Sequence, residues 1–189
     1  MLLILLLALA LTPQEAPPPA AGAPPDLAAL VRTQFGEDCT PAPVTPHTVG
    51  GKPQAPTVWL TGDLDGDGAE DAVIVAKCSD PLAASQDHNY KVQDPYNTYF
   101  GFGDPKVTRS FGSADPDRDR KLLVIHGWRL PEPKAKFILI NVPFDRLAIR
   151  RILFKKKTRP AIEATESGIM NSYLVWDGKK YRWEPGESE

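Results

Sequence analysis

Cysteine, methionine and histidine are scarce in this chain, at two, two and three of its 189 residues. Neither Cys39 nor Cys78 has a C-x-x-C neighbour, and His47 and His88 stand alone, so local spacing assembles no zinc-type cluster. No G-x-S-x-G occurs and no histidine follows His126, which excludes the serine–acid–histidine order of the α/β-hydrolases. Gly101-Phe102-Gly103 lacks the strand–loop–helix setting of a dinucleotide fingerprint. No apolar run approaches the ~20 residues needed to cross a bilayer. A net charge of −2 carries no whole-chain argument for nucleic acid. Neither a catalytic constellation nor an organic-cofactor site is read from the residues.

Proline is the residue in excess, with 20 copies, about twice the average usage, clustered toward the N-terminus. Residues 2–11 form an almost pure Leu/Ala/Ile run of the kind that makes the h-region of a secretory signal, although no basic residue precedes it. Ala8-Leu9-Ala10 offers a small-x-small cleavage site. The chain therefore divides into a signal-peptide h-region over 1–11, an extended Pro/Ala-rich linker over 12–25, one domain over 26–184 and a polar tail over 185–189. The expectation is a secreted or periplasmic protein with no membrane span in the mature chain. In an exported chain a lone pair of cysteines favours a Cys39–Cys78 disulfide over two separate buried thiols.

Within the domain, Asp26 is placed as an N-cap. Leu27, Leu30, Val31 and Phe35 follow at helical spacing, and Gly36 is a natural stop. Strands are predicted at 58–60, 71–77, 106–111, 121–128, 137–142 and 147–155. The run Val73-Ile74-Val75 has the near-continuous apolarity of a strand covered on both faces. Residues 155–157, three lysines, read as a solvated strand end. The 172–183 stretch reads as a hairpin about Asp177-Gly178, a pair suited to a two-residue type I′ turn. Strands without alternating long helices predict an α+β fold: a mostly antiparallel β-sheet with one short N-terminal helix packed on it.

The most informative stretch is 62–76, GDLDGDGAEDAVIVA. Asp63, Asp65, Asp67 and Asp71 take positions 1, 3, 5 and 9 of a loop, Gly68 takes position 6, and Ala69 at position 7 offers a backbone carbonyl. Calcium is a hard cation that takes six to eight oxygens, and alternating carboxylates on a tight glycine-bearing loop supply them. Four carboxylates this close repel one another, so folding and cation binding are expected to be linked. Position 12 is Ile74 inside an apolar strand, which departs from the EF-hand on both its closing Glu and its flanking helices. The residues instead resemble the FG-GAP or VCBS-like loop, D-x-D-x-D-G-x-x-D between two strands. That family is known from integrin β-propellers and secreted bacterial proteins. The resemblance implies a calcium ion held by Asp63, Asp65, Asp67, Ala69 and Asp71. It covers about 15 residues, and with no repeat in the chain it does not imply a propeller.

Two other charged stretches carry less. Asp115, Asp117 and Asp119 alternate, but Arg118, Arg120 and Lys121 neutralise that turn. Lys155–Lys157 with Arg150, Arg151 and Arg159 form a basic patch that serves either as a solvated edge or as a site for an anionic polymer or phospholipid headgroup. The function read from the sequence is a non-catalytic binding or interaction module at the cell envelope or outside, with a structural calcium and a protein or polysaccharide partner. The alternatives are a small secreted hydrolase without a recognisable motif and a purely structural envelope protein. Exposure of Tyr96, Tyr99, Phe100 and Phe102 together would mark a ligand surface. A cleft holding two ionisable groups with shifted pKa values would mark an enzyme.

Overall fold

The apolar run at 72–76 is buried along its whole length, on both faces of the strand. The computed structural model describes residues 22–45, 55–111, 119–167 and 170–186. The expected leader over 1–11, the linker as far as residue 21, Asp115, Asp117 and the last three residues of the tail lie outside them. In chain order the elements are helix α1 (Leu27–Phe35), strands β1 (Cys39–Pro41), β2 (Trp59–Gly62), β3 (Asp71–Cys78) and β4 (Lys91–Gln93), and helices α2 (Pro95–Tyr99) and α3 (Pro105–Thr108). Strands β5 (Lys121–His126), β6 (Ala135–Leu139), β7 (Arg146–Phe154), β8 (Lys157–Glu166), β9 (Met170–Trp176) and β10 (Tyr181–Pro185) follow.

These strands make two sheets. The first runs β1-β3-β5-β6-β4, with β2 also paired to β3, and the second runs β10-β9-β8-β7. β1 and β2 share one edge of β3, with Cys39 opposite Cys78 at one end and Gly62 opposite Asp71 at the other. The pairings are antiparallel except for β4, which runs parallel to β6. Mostly antiparallel β-structure is thus observed, but in two stacked sheets and with two short helices besides α1.

Period-2 alternation sorts the first sheet into two cores. Val73, Val75, Leu122, Val124, Phe137 and Leu139 face the second sheet and meet Leu147, Ile162, Leu174 and Tyr181. Ala72, Ile74, Leu123, Ile125 and Ile138 face the other way and meet Val31, Phe35 and Trp59. α1 fills this second core as its spacing requires. The Asp26 carboxylate accepts the Ala29 N–H at 2.8 Å, Gly36 turns out at a φ of 92°, and Val31 and Phe35 are fully buried.

Three local expectations are overturned. Residues 105–108 form α3 rather than a strand, because Asp104 caps the Lys106 N–H and Pro105 supplies the preset first φ. Strand β9 hands over to β10 through four residues, with Trp176 opposite Tyr181. Asp177 does not act as half of a two-residue turn; its Oδ1 accepts the N–H groups of Lys179 and Lys180, both at 2.9 Å. The tight two-residue turn lies elsewhere, between β7 and β8, where Phe154 pairs with Lys157 and Lys155 and Lys156 both take positive φ. The lysines are a hairpin tip rather than a strand end.

The structure contains the Cys39–Cys78 disulfide, joining residues 39 apart in sequence. Closing a loop of that length stabilises by ~4 kcal/mol in the chain-entropy model. The double variant Cys39→Ala, Cys78→Ala should lose stability of that order in urea unfolding, and a thiol assay on unreduced, unfolded wild-type protein should count no free thiol.

Candidate metal centre

Gly62 and Asp71 close the β2–β3 ladder, and the eight residues between them form the aspartate loop. Asp63 organises it from the inside. Its Oδ1 accepts the N–H groups of Gly66 at 2.8 Å and Asp67 at 3.0 Å, and its Oδ2 accepts that of Gly68 at 3.0 Å. Gly66 and Gly68 sit at φ of 81° and 86°, and this is what lets the chain curl around one carboxylate. Asp65 Oδ1 accepts from Asp67 N–H at 3.1 Å, and Asp67 Oδ1 from Ala69 N–H at 2.8 Å. Leu64 is buried in the core between the sheets and pins the curl to the domain.

Carboxylate oxygens of Asp63, Asp65 and Asp67 converge within 4.8 Å of one another. Hard oxygen donors at this spacing fit a divalent cation of the calcium or magnesium type in their chemistry. Asp71 takes a different part. It is fully buried, and its ligand atom groups with Asp65 and His126. Its Oδ2 accepts the N–H of Leu64 at 2.7 Å and of Asp65 at 3.3 Å, while Oδ1 accepts the Gly127 N–H at 2.8 Å. Position 9 is therefore turned inward as a structural clamp. Ala69 contributes its N–H to Asp67.

The residues that clasp the loop come from far along the chain, at 126–134. Glu70 Oε2 accepts from Trp128 Nε1 at 3.1 Å and from Arg129 Nε at 2.5 Å, and the Arg129 guanidinium lies 4.4 Å from the Trp128 ring centre. The Arg129 hydrogen bond pulls the Glu70 pKa down. The Lys134 ammonium contacts Asp67 Oδ2, lowering the Asp67 pKa and raising its own. His126 is buried beneath the loop, with Nδ1 3.4 Å from Asp65 Oδ2 and Nε2 2.8 Å from the Tyr181 hydroxyl. Burial holds the His126 pKa down and the Tyr181 pKa up. Burial pushes Asp71 the other way, up, against the pull of the Gly127 N–H.

Much of the repulsion expected among the four aspartates is thus compensated inside the fold, by backbone N–H groups and by Lys134. No spacing rule could have found His126, Lys134 or Gly127, which lie between 56 and 67 residues from their partners. In sequence the VIHGW segment around His126 resembles the His-Gly strand end of α/β-hydrolases, but without their G-x-S-x-G it reads as the end of a strand.

Asp71→Asn puts an amide donor against one of three buried N–H groups, at a cost of about 1–3 kcal/mol. That loss should appear in urea unfolding in the presence of a chelator. A residue acting only as a metal ligand would show no loss there. Comparison with protein-family models, with curated proteins and with solved structures returns no match.

Proposed function

We propose that this chain is an exported, non-catalytic binding domain that carries a structural calcium ion in an FG-GAP-like loop. The observation that carries the binding role is the aromatic surface on α2 and the loop after it. Tyr99, Phe100 and Phe102 are 52%, 53% and 67% exposed, a large aromatic area left open to solvent. Tyr96, Tyr99 and Phe100 gather on Trp183 of β10, with the Tyr99 and Trp183 ring centres 4.8 Å apart. α2 is positioned for this by Asp94, which caps the Asn97 N–H at 2.9 Å and holds Asn141 with its other oxygen. A rigid platform of rings suits a sugar or an apolar side chain, in line with a protein or polysaccharide partner at the cell envelope.

Asp71 and His126, whose pKa values burial moves in opposite directions, are buried and hydrogen-bonded and do not line the cleft beside the loop. This favours the binding reading over the hydrolase alternative. The disulfide accords with folding outside the cytoplasm. No helix among the described residues is long and apolar enough to cross a membrane.

In this reading Asp63, Asp65 and Asp67 hold the calcium, and its role is to fix the strand–loop–strand corner. Calorimetric titration of chelator-treated protein should show one site, and the melting temperature should rise with calcium. Asp65→Ala should abolish both responses. Lys134→Gln removes the ammonium that competes for Asp67 and should tighten calcium binding about two- to fivefold, the range measured for exposed ion pairs. An unchanged or weaker affinity would mean that Lys134 does not compete for the site.

The aromatic surface has its own test. Labelled protein should co-sediment with isolated bacterial cell envelopes, and the variant Tyr99→Ala, Phe102→Ala should remain in the supernatant while losing no more than about 1 kcal/mol of stability. Equal sedimentation of the two proteins would sink the assignment of this surface.

A further inference from the structure

The aspartate loop forms one wall of a cleft of about 510 Å³. Asp63, Asp65 and Gly66 line that wall, and Arg151, Lys157, Thr158 and Arg159 of the β7–β8 hairpin line the other. The hairpin is drawn against the loop at Gly62, where an added Cβ would lie 3.0 Å from Ile149 Cδ1. Beyond Ile149, Ile152 and Phe154 pack on a small separate cluster with Ala161 and Val175, while Arg151 and Thr158 are exposed.

Several cations of the molecule are held in ion pairs. Arg129, Lys134, Arg150, Arg182, Lys77 and Arg109 each have a carboxylate partner. Arg151, Lys157 and Arg159 have none among the described residues. Three unneutralised cations on two adjacent strands suit a multiply charged oxyanion, and guanidinium groups match its oxygen geometry. The facing carboxylates of Asp63 and Asp65 would repel such an anion, unless a divalent cation sits on them and reverses the sign of that wall.

We propose that this cleft binds a phosphate monoester, held by Arg151, Lys157 and Arg159 on one side and bridged on the other through the calcium ion of the aspartate loop. The proposal rests on the calcium reading above. The volume falls in the range of small-molecule sites and admits a hexose phosphate or a phosphate headgroup. Because the two ligands share the cleft, each should strengthen the other's binding by the same factor.

The test uses the full chain with three titrations: calcium alone, glucose 6-phosphate in chelator, and glucose 6-phosphate with saturating calcium. The expected result is one calcium site, and phosphate binding at least about tenfold tighter with calcium than without it. Arg151→Gln and Arg159→Gln, both at solvent-accessible positions, should each weaken phosphate binding at least about fivefold while leaving binding of calcium alone unchanged. Vesicles of phosphatidylcholine with phosphatidic acid distinguish the source of the phosphate. Calcium-dependent binding to them without binding to the sugar phosphate supports the proposal with a lipid headgroup as ligand.

Calcium binding with no phosphate binding to either probe overturns the proposal and leaves the calcium reading standing. Phosphate binding of equal strength in chelator overturns the bridge. Phosphate binding with no calcium binding overturns both the bridge and the calcium reading.

Discussion

The buried carboxylate of Asp71 ties together three parts of the chain. One oxygen receives Leu64 and Asp65 from the mouth of the loop, and the other receives Gly127 from the end of β5. A carboxylate without exposure to water is tolerated only when hydrogen bonds replace its hydration, and three backbone donors do so here. The consequence is geometric. With Leu64 and Asp65 held, the loop curls back over Asp63, and Asp65 and Asp67 turn toward the same point. With Gly127 held, the 126–134 connection lies against the loop and delivers Arg129 and Lys134 to its acids.

β3 carries this clamp at its first residue and the disulfide at its last. Asp71 and Cys78 bracket a strand in which residues 72–76 alternate between the two cores. β1 and β2 are too short to bind strongly through their own ladders, and each is fixed to β3 at the end where one of these cross-links sits. The loop is therefore mounted on a buried strand cross-linked at both ends, a suitable base for a cation site or for a wall of a binding cleft.

The electrostatic pattern follows from the same layout. Acidic side chains on the loop are answered in part by Lys134 and Arg129 on the β5–β6 side. On the β7–β8 side the cations stand across open space. The aromatic platform belongs to a different part of the chain, α2 and β10, so that a rigid ring surface and a charged cleft are offered by one domain. Both are surface features of a scaffold whose interior is packed largely with aliphatic side chains.

The amino-acid pattern alone determined α1 with its cap and stop, the doubly covered strand at 71–77, the cysteine pair and the aspartate loop. Each depends on neighbours a few residues away or on a residue type with few alternatives. Local rules failed where two of them competed. Asp104-Pro105 made a helix out of a segment whose apolar residues read as strand, and Asp177 used its carboxylate to close a longer turn than Asp-Gly implies. The stacking of the strands into two sheets, the inward turn of Asp71 and the arrival of His126, Lys134 and Arg151 around the loop were decided only by the tertiary structure. Those contacts join residues tens of positions apart, and their energy comes from burial and from hydrogen bonds that exist only once the sheets have met.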